Sequence, residues 1–158
     1  MPLLPLRDQF EVKNRLLLDG VRQLTAEELA IWSHGRDFLV GRVLAREAAA
    51  TPAAGSTRRR HPRTHVRVAA HLAGHGGGFT DDLGFGGLGL RTHRVSPLRR
   101  GDEASVKLKW AERSIFLQGQ VAWTEGTRLG LSITRIHPQD EQLLQALVCE
   151  RLGDVWEG

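Results

Sequence analysis

Hydrophobic residues recur at every second position in several short runs of this chain, beginning at Val66. The first run consists of Val66, Val68, Ala70 and Leu72. The later runs are Val106, Leu108 and Trp110; Ile115, Leu117, Val121 and Trp123; and Leu129, Leu131 and Ile133. Because side chains alternate between the two faces of a β-strand, each run predicts a strand with one buried face. Several such strands within about 75 residues predict a small antiparallel barrel, since closure removes exposed sheet edges.

A helical segment is predicted before the barrel, over residues 1–47. Its first helix ends at Gly20, a residue type that commonly stops a helix. The second helix begins with a capping box, in which Thr25 and Glu28 satisfy each other's backbone N–H groups. Its apolar stripe is Leu29, Trp32, Leu39 and Val43, with Arg36 at the missing step. This helix packs either on the neighbouring domain or on a partner.

A linker is predicted over residues 48–57, which are small and flexible, and the barrel domain over residues 58–153. The domain ends in a helix that begins at Pro138 and stops at Gly153. The apolar stripe of this helix is Leu143, Leu144, Leu147, Val148 and Leu152. The predicted fold class is therefore mainly β with flanking helices.

The composition favours a cytoplasmic location. Cys149 is the only cysteine, so no internal disulfide can form, and a reducing compartment is expected. No apolar run approaches the roughly 20 residues of a membrane span. The start of the chain has about five apolar residues before the first charge, whereas a signal-peptide core needs at least about 7.

Positive charge is concentrated in the middle third of the chain. Residues 51–100 carry nine arginines against two aspartates, Asp81 and Asp82. Four of these arginines occupy the six positions from Arg58 to Arg63. Such a concentration attracts an anion, and the charge alone leaves open a nucleic acid, an acidic protein or a phosphorylated small molecule. A solvated end of the linker is the remaining interpretation.

The sequence lacks the motifs of an enzyme. The glycines of GFGGLG, from Gly84 to Gly89, match the spacing of a dinucleotide-binding loop, but strand patterns follow where that loop needs a helix. Four histidines lie between residues 61 and 75 without a matching carboxylate or thiol, which favours surface histidines over a zinc site. No serine lies in a nucleophile turn, and Asp81 and Asp82 are a weak acid–base pair. We expect no catalysis, metal or cofactor.

Two motifs give the arginine cluster a specific context. RRRHPR leads into the first predicted strand, and DLGFGGLGL follows about twenty residues later. This order resembles the PilZ domain family of cyclic di-GMP receptors, which pairs an R-x-x-x-R loop with a [D/N]-x-S-x-x-G turn. Arg59 and Arg63 match the first motif; Asp82 and Gly87 match the second, with Gly84 in place of the serine. GQVAWTEGTRLGLSI is similar to the late strand pair of the family, so the resemblance covers roughly residues 57–150.

The resemblance implies a six-stranded antiparallel PilZ-type β-barrel with a C-terminal helix, and cyclic di-GMP as its ligand. It assigns the phosphate and guanine groups to Arg59 and Arg63, because an arginine fork matches both. It assigns the guanine N1–H and amino edge to the Asp82 carboxylate, which accepts hydrogen bonds.

The resemblance also implies supporting roles for residues beside these three. Gly84 and Gly87 are expected to shape the turn so that its backbone can approach the ligand. Arg58 and Arg60 are expected to assist the arginine grip. The exchange of the family's serine for Gly84 removes one hydroxyl hydrogen bond, which predicts binding about two- to tenfold weaker.

We therefore expect a cyclic di-GMP receptor or adaptor that changes its conformation or its docking to a protein partner when the ligand binds. The N-terminal helices are candidates for a homodimer interface or a partner surface. An alternative, kept open by Gly84, is a degenerate scaffold that binds no nucleotide and acts through protein contacts. A nucleic-acid-binding module ranks lower, because the arginine cluster lacks interleaved aromatic residues for base stacking.

Overall fold

The computed structural model describes residues 5–50 and 62–152 of the chain. Their helices are α1 (Leu6–Asp19), α2 (Ala26–Ala50) and α3 (Pro138–Arg151). Their strands are β1 (Arg63–Thr64), β2 (Ala69–Leu72), β3 (Gly76–Gly84), β4 (Gly87–Thr92), β5 (Glu103–Trp110), β6 (Arg113–Glu125) and β7 (Arg128–Ile136). These elements form two compact units: a helical unit with α1, α2 and the part of α3 from Gln145 onward, and a barrel unit over Arg63–Leu144.

The barrel unit is a closed antiparallel sheet. Its strands are hydrogen-bonded in the order β3–β2–β5–β6–β7–β4, and β4 pairs back to β3, which closes the ring. The short β1 adds an extra strand at the end of β3, where Arg63 lies opposite Gly84. The prediction of a six-stranded antiparallel barrel is confirmed, because β1 lies outside the ring.

The alternating residues of the predicted strands fill the barrel interior. In β5 the buried side chains of Ala104, Val106 and Leu108 alternate with exposed ones. The other buried hydrophobic residues of the strands and of the segment before β2 are Val66, Val68, Ala70, Leu72, Leu83, Leu88, Leu90, Ile115, Leu117, Val121, Leu129 and Leu131. The burial of their apolar surface is the main favourable free energy of folding in this unit.

A register shift in β6 turns Trp123 outward. Val121 lies opposite Leu131, which is buried in the core, but Trp123 lies opposite Gly130, on the other face of β7. The extra residue between them is a β-bulge, which offsets the alternation by one position. The Trp123 side chain is 41% exposed, and the prediction that it shares the buried face of Val121 is wrong.

Local sequence signals set the junction between α1 and α2. α1 ends at Gly20, whose φ of 66° is the left-handed conformation of a helix cap. At the start of α2, the Thr25 hydroxyl accepts from the Glu28 N–H at 3.2 Å, and the Glu28 carboxylate accepts from the Thr25 N–H at 3.0 Å. The predicted stop and capping box are confirmed. Hydrogen bonds from Arg22 and then from Thr25 lower the pKa of Glu28 to about 2.

A buried polar side chain joins the three helices of the helical unit. Asn14 is 5% exposed; its Oδ1 accepts a hydrogen bond from the Trp32 indole N–H at 3.0 Å, and its Nδ2 donates to the Ala146 carbonyl at 3.0 Å. Arg36, at the missing step of the predicted stripe, lies over the Trp32 ring and donates to Gln145. These bonds fix how α1, α2 and the end of α3 are aligned.

The start of α3 agrees with the sequence pattern, whereas α2 extends past the predicted end of the helical segment at residue 47. α3 begins at Pro138, and all five residues of its predicted stripe are buried. α2 continues through residues 48–50, at the start of the predicted linker. Residues 51–57 of that linker and the predicted stop at Gly153 lie outside the described residues. Within the described ranges, no helix is long and apolar enough to cross a membrane.

Replacing Asn14 with alanine is expected to destabilise the helical unit. The substitution leaves the buried indole N–H without its acceptor and removes the additional hydrogen bond to the Ala146 carbonyl, which lowers the free energy of unfolding by about 1–3 kcal/mol. Urea denaturation followed by circular dichroism measures the change. Val12→Ala is the control, because Val12 lies on the same helix and is 52% exposed. Equal unfolding midpoints for the two variants would contradict the role of Asn14.

Candidate ligand-binding site

One area of the outer face of the barrel consists of glycines, which are themselves buried. Buried leucines alternate with glycines at the end of β3, along β4 and in β7. Because successive residues of a strand point to opposite faces, these glycines lie on the outer face of the barrel. We define them together as the glycine floor: Gly84, Gly87, Gly89 and Gly130.

Asp82 and Trp123 stand at opposite sides of this floor. In the cross-strand register, Gly89 lies between Asp82 and Gly130, and Gly130 lies between Gly89 and Trp123. A Cβ atom added to Gly89 would lie 2.9 Å from Asp82 Oδ1, and one added to Gly130 would lie 2.6 Å from Trp123 Cε2. Both side chains therefore lean over the floor, and glycine is the residue that leaves them room.

The Asp82 carboxylate is held by the backbone of the neighbouring strand. Its Oδ1 accepts a hydrogen bond from the Gly89 N–H at 2.7 Å. Hydrogen bonds to an ionised acceptor are among the stronger ones in proteins, so this bond fixes the orientation of the side chain. Among the described residues, Oδ2 has no hydrogen-bond donor, so it can accept a further hydrogen bond.

Arg63 reaches the floor from β1. It lies opposite Gly84 in the β1–β3 pair, and its Nη2 would be 3.7 Å from a Cβ atom on Gly87. Its exposed guanidinium is therefore available to a molecule that lies over the turn between β3 and β4. Arg58, Arg59 and Arg60 lie outside the described residues.

Space, rather than backbone conformation, requires glycine at the start of β4. Gly84 ends β3 and Gly87 begins β4, and neither has a positive φ. A Cβ atom on Gly87 would lie 2.7 Å from the carbonyl oxygen of Leu131 in β7. A side chain at this position would push β4 away from β7, because the neighbouring atom belongs to the backbone.

A second β-bulge places Asp81 beside two arginines at the border of the floor. The register of β3 shifts between Thr80 and Asp82, so Asp81 has no cross-strand partner. Asp81 Oδ1 is 3.6 Å from Arg91 Nε of β4, and Asp81 Oδ2 accepts a hydrogen bond from Arg128 Nε of β7 at 3.2 Å. The bulge thus puts two successive carboxylates on the outer face, one bound to arginine and one to backbone.

A polar pocket of about 430 Å³ adjoins Asp81. Its lining includes His65, Arg67, Phe79 and Arg91, and the Arg67 guanidinium lies 4.2 Å from the centre of the Phe79 ring. Arg67 and Arg91 in its lining add positive charge beside the glycine floor. In the part of the chain that the structure describes, no group of three His, Cys, Asp or Glu side chains is placed to hold a metal ion.

Comparison with known protein families identifies the family of this chain. A sequence model of the PilZ domain matches residues 57–150, more than half of the chain. The chain belongs to the PilZ domain family. A search of curated proteins found no match.

Two solved structures are similar to the PilZ chain in fold. MotI (DgrA), an inhibitor of motility from Bacillus subtilis, has a TM-score of 0.55 and 17% identity over 61% of this chain and 51% of its own. YcgR from Escherichia coli, solved in complex with c-di-GMP, has a TM-score of 0.52 and 20% identity over 64% of this chain and 49% of its own. The alignment thus spans about half of each protein and shows the shared fold.

The PilZ barrel brings together the described residues that the sequence motifs single out, namely Arg63, Asp82, Gly84 and Gly87. The motifs did not indicate Trp123, because its spacing assigned it to the core. They also did not indicate the two remaining floor glycines. The tripeptide LGL occurs at residues 88–90 and again at 129–131, and the two copies pair across β4 and β7. That repeat is a sequence signal from which the centre of the floor could have been found.

Gly130→Ala is expected to move the Trp123 indole off the floor of the PilZ barrel. The added methyl group overlaps the indole ring, so the ring must turn away, and the free energy of unfolding falls by about 1–3 kcal/mol. Tryptophan fluorescence and urea denaturation measure the two effects. Gly77→Ala is the control, because its Cβ atom would meet neighbours no closer than 3.6 Å. Identical spectra and midpoints for both variants would contradict the packing of Trp123 on Gly130.

Proposed function

We propose that this PilZ domain is a receptor for cyclic di-GMP and binds it on the glycine floor. The observation that carries the proposal is the grouping of a guanidinium, a carboxylate and an indole, from Arg63, Asp82 and Trp123, around the buried glycine floor. The guanine bases of the ligand require a flat partner on which to stack. The phosphates of the ligand require cations, and the Watson–Crick edge of guanine requires an acceptor.

The arginines bind the phosphate groups of the ligand in this proposal. Arg63 and Arg59 bind a phosphate and the O6/N7 edge of guanine, because a guanidinium offers paired donors to either group. Arg58 and Arg60 assist from the same segment. The position of Arg63 over the turn between β3 and β4 supports this role, since Nη2 is close to the floor at Gly87.

Asp82 supplies selectivity for guanine. Its Oδ1 is held by the Gly89 N–H, so Oδ2 accepts from the guanine N1–H and the exocyclic amino group. Adenine presents an acceptor at N1, and a carboxylate facing it would lose a hydrogen bond and meet a lone pair. Selection for guanine therefore follows from a carboxylate that is fixed in place before the ligand binds.

Trp123 supplies a stacking surface that the sequence motifs did not indicate. The indole is partly exposed, lies on Gly130, and has the Arg128 guanidinium 6.0 Å from its ring centre. Stacking of a base on an aromatic side chain contributes about 1–3 kcal/mol. We place one guanine of the ligand against this ring.

The comparisons and the chemistry of the chain support a binding role rather than catalysis. YcgR, which has the same fold over 64% of this chain, was solved with c-di-GMP bound. The single thiol does not provide a reactive group, because burial raises the pKa of Cys149 to about 12 and keeps it protonated. We place the receptor in the cytoplasm, as the single cysteine of the sequence predicts.

The partner surface of the receptor is proposed to lie on the N-terminal helices. Phe38 of α2 is 44% exposed, and Gly41, one turn further along, has open space where a side chain would be. Val12 of α1 is also exposed. Exposed apolar side chains favour contact with another protein or a second copy of the chain. Cyclic di-GMP would then act by changing how this partner docks.

Isothermal calorimetry with cyclic di-GMP tests the receptor proposal. The wild type is expected to bind cyclic di-GMP and to reject GMP and cyclic di-AMP. Arg63→Ala and Asp82→Asn are each expected to weaken binding about tenfold or more, because each removes a charge-assisted hydrogen bond. Lys109→Ala is the matched control, since it removes an exposed cation from β5, on the opposite side of the ring from β4.

Gly84→Ser distinguishes a cyclic di-GMP receptor from a degenerate scaffold that binds no nucleotide. Restoring the family's hydroxyl is expected to strengthen wild-type binding about two- to tenfold. If the wild type does not bind cyclic di-GMP but Gly84→Ser does, the chain is a scaffold that has lost the serine hydroxyl from an otherwise intact site. If neither protein binds cyclic di-GMP at high ligand concentration, the receptor proposal is wrong, and the barrel serves protein contacts alone.

Light scattering at increasing protein concentration tests the homodimer. A dimer through α2 predicts a mass of twice 17.5 kDa, which returns to the monomer value in Phe38→Glu because a charge is then buried in the interface. Val21→Glu is the control, since Val21 is 84% exposed between α1 and α2. A monomer at every concentration would exclude the dimer and leave a different protein as partner.

A further inference from the structure

Two arginines of the barrel lie side by side at the border of the glycine floor. Arg91 of β4 and Arg128 of β7 are direct cross-strand partners, one outward position beyond the Gly89–Gly130 pair. Like charges placed directly opposite each other destabilise a sheet. An anion between them removes this penalty, so the pair is an anion-binding arrangement built into the outer face.

Asp81 supplies that anion in this structure. Its two carboxylate oxygens approach the two guanidinium groups, with separations from Nε of 3.6 Å at Arg91 and 3.2 Å at Arg128. Asp81 reaches them because it is the extra residue of the β3 bulge. Glu125 lies opposite Arg128 on β6, but the described ion pairs of these arginines are those with Asp81.

We propose that Arg91 and Arg128 form a phosphate-binding site, and that Asp81 is an internal competitor which a phosphate group of the ligand must displace. The identity of that ligand rests on the proposed function. The rows of outward residues in a strand are about 7 Å apart. The Arg128 guanidinium is also 6.0 Å from the centre of the Trp123 ring. A phosphate of a nucleotide whose base stacks on Trp123 is therefore within reach of the arginine pair.

The exposure of the three side chains favours exchange of one anion for another. Asp81 is 31% exposed, Arg91 56% and Arg128 49%. Ion pairs with this much solvent contact are weak, because water and salt compete for both charges. A phosphate with several acceptor oxygens can bind both guanidinium groups at once, as the carboxylate does. Asp81 therefore lowers the affinity of the site without removing it.

Asp81→Asn tests the competition. The variant keeps the shape of the side chain and removes its charge, so the affinity for cyclic di-GMP is expected to rise about three- to tenfold at low salt. The gain should shrink as the salt concentration rises, because added ions screen the freed arginines. Glu112→Gln is the matched control: it removes one negative charge from the exposed turn between β5 and β6 and should leave the affinity unchanged.

A double variant distinguishes binding at this site from a general effect of net charge. In Asp81→Asn/Arg128→Gln the gain should vanish, because one half of the phosphate site is missing. If Glu112→Gln gives the same gain as Asp81→Asn, or if Asp81→Asn binds cyclic di-GMP more weakly than the wild type, the competition is refuted. Circular dichroism of each variant confirms that the fold is retained.

Inorganic phosphate provides a probe that does not depend on the nucleotide. The Nε–H signals of Arg91 and Arg128, followed by NMR, should shift with phosphate at lower concentration in Asp81→Asn than in the wild type or Glu112→Gln. This result without any binding of cyclic di-GMP would retain the phosphate site and reject the proposed receptor. The wild type could instead bind cyclic di-GMP while Asp81→Asn changes the affinity for neither cyclic di-GMP nor phosphate. That result would support the receptor proposal and refute the competition by Asp81.

Discussion

The pairing of β4 with β3 is the interaction on which the rest of the barrel unit depends. It turns an open sheet into a ring, so that every inward side chain is enclosed and no strand of the ring keeps a free edge. The same pairing sets Asp82 beside Gly89 and brings the end of β3, with Arg63 across from it, next to the start of β4. The same backbone hydrogen bonds therefore position both the core and the candidate site.

The sequence was sufficient for the architecture because the barrel is encoded by a short-range pattern. Apolar residues at every second position indicate a strand wherever they occur, and the buried residues of β5 follow that rule without exception. The site was partly predictable for a different reason. Arg63 and Asp82 belong to two motifs whose order resembles one family, and the pairing of β1 with β3 brings the motifs together.

What the sequence did not indicate depends on single-residue offsets and on distant contacts. A β-bulge reverses the facing of all residues beyond it, and one extra residue before Trp123 moved an indole from the expected core to the surface. The bulge at Asp81 likewise places two neighbouring carboxylates on one face. Asn14 finds one of its partners at Ala146, 132 positions away, which no local pattern reports.

The glycine floor separates the stability of the barrel from the chemistry of its outer face. The glycines contribute backbone to this face and no side chains. The side chains that border them lie outside the leucine core, so an exchange at the border leaves the packing of the leucines intact. A lineage that carries this barrel can therefore gain, change or lose a small-molecule signal through a few border substitutions, while the domain itself is inherited unchanged.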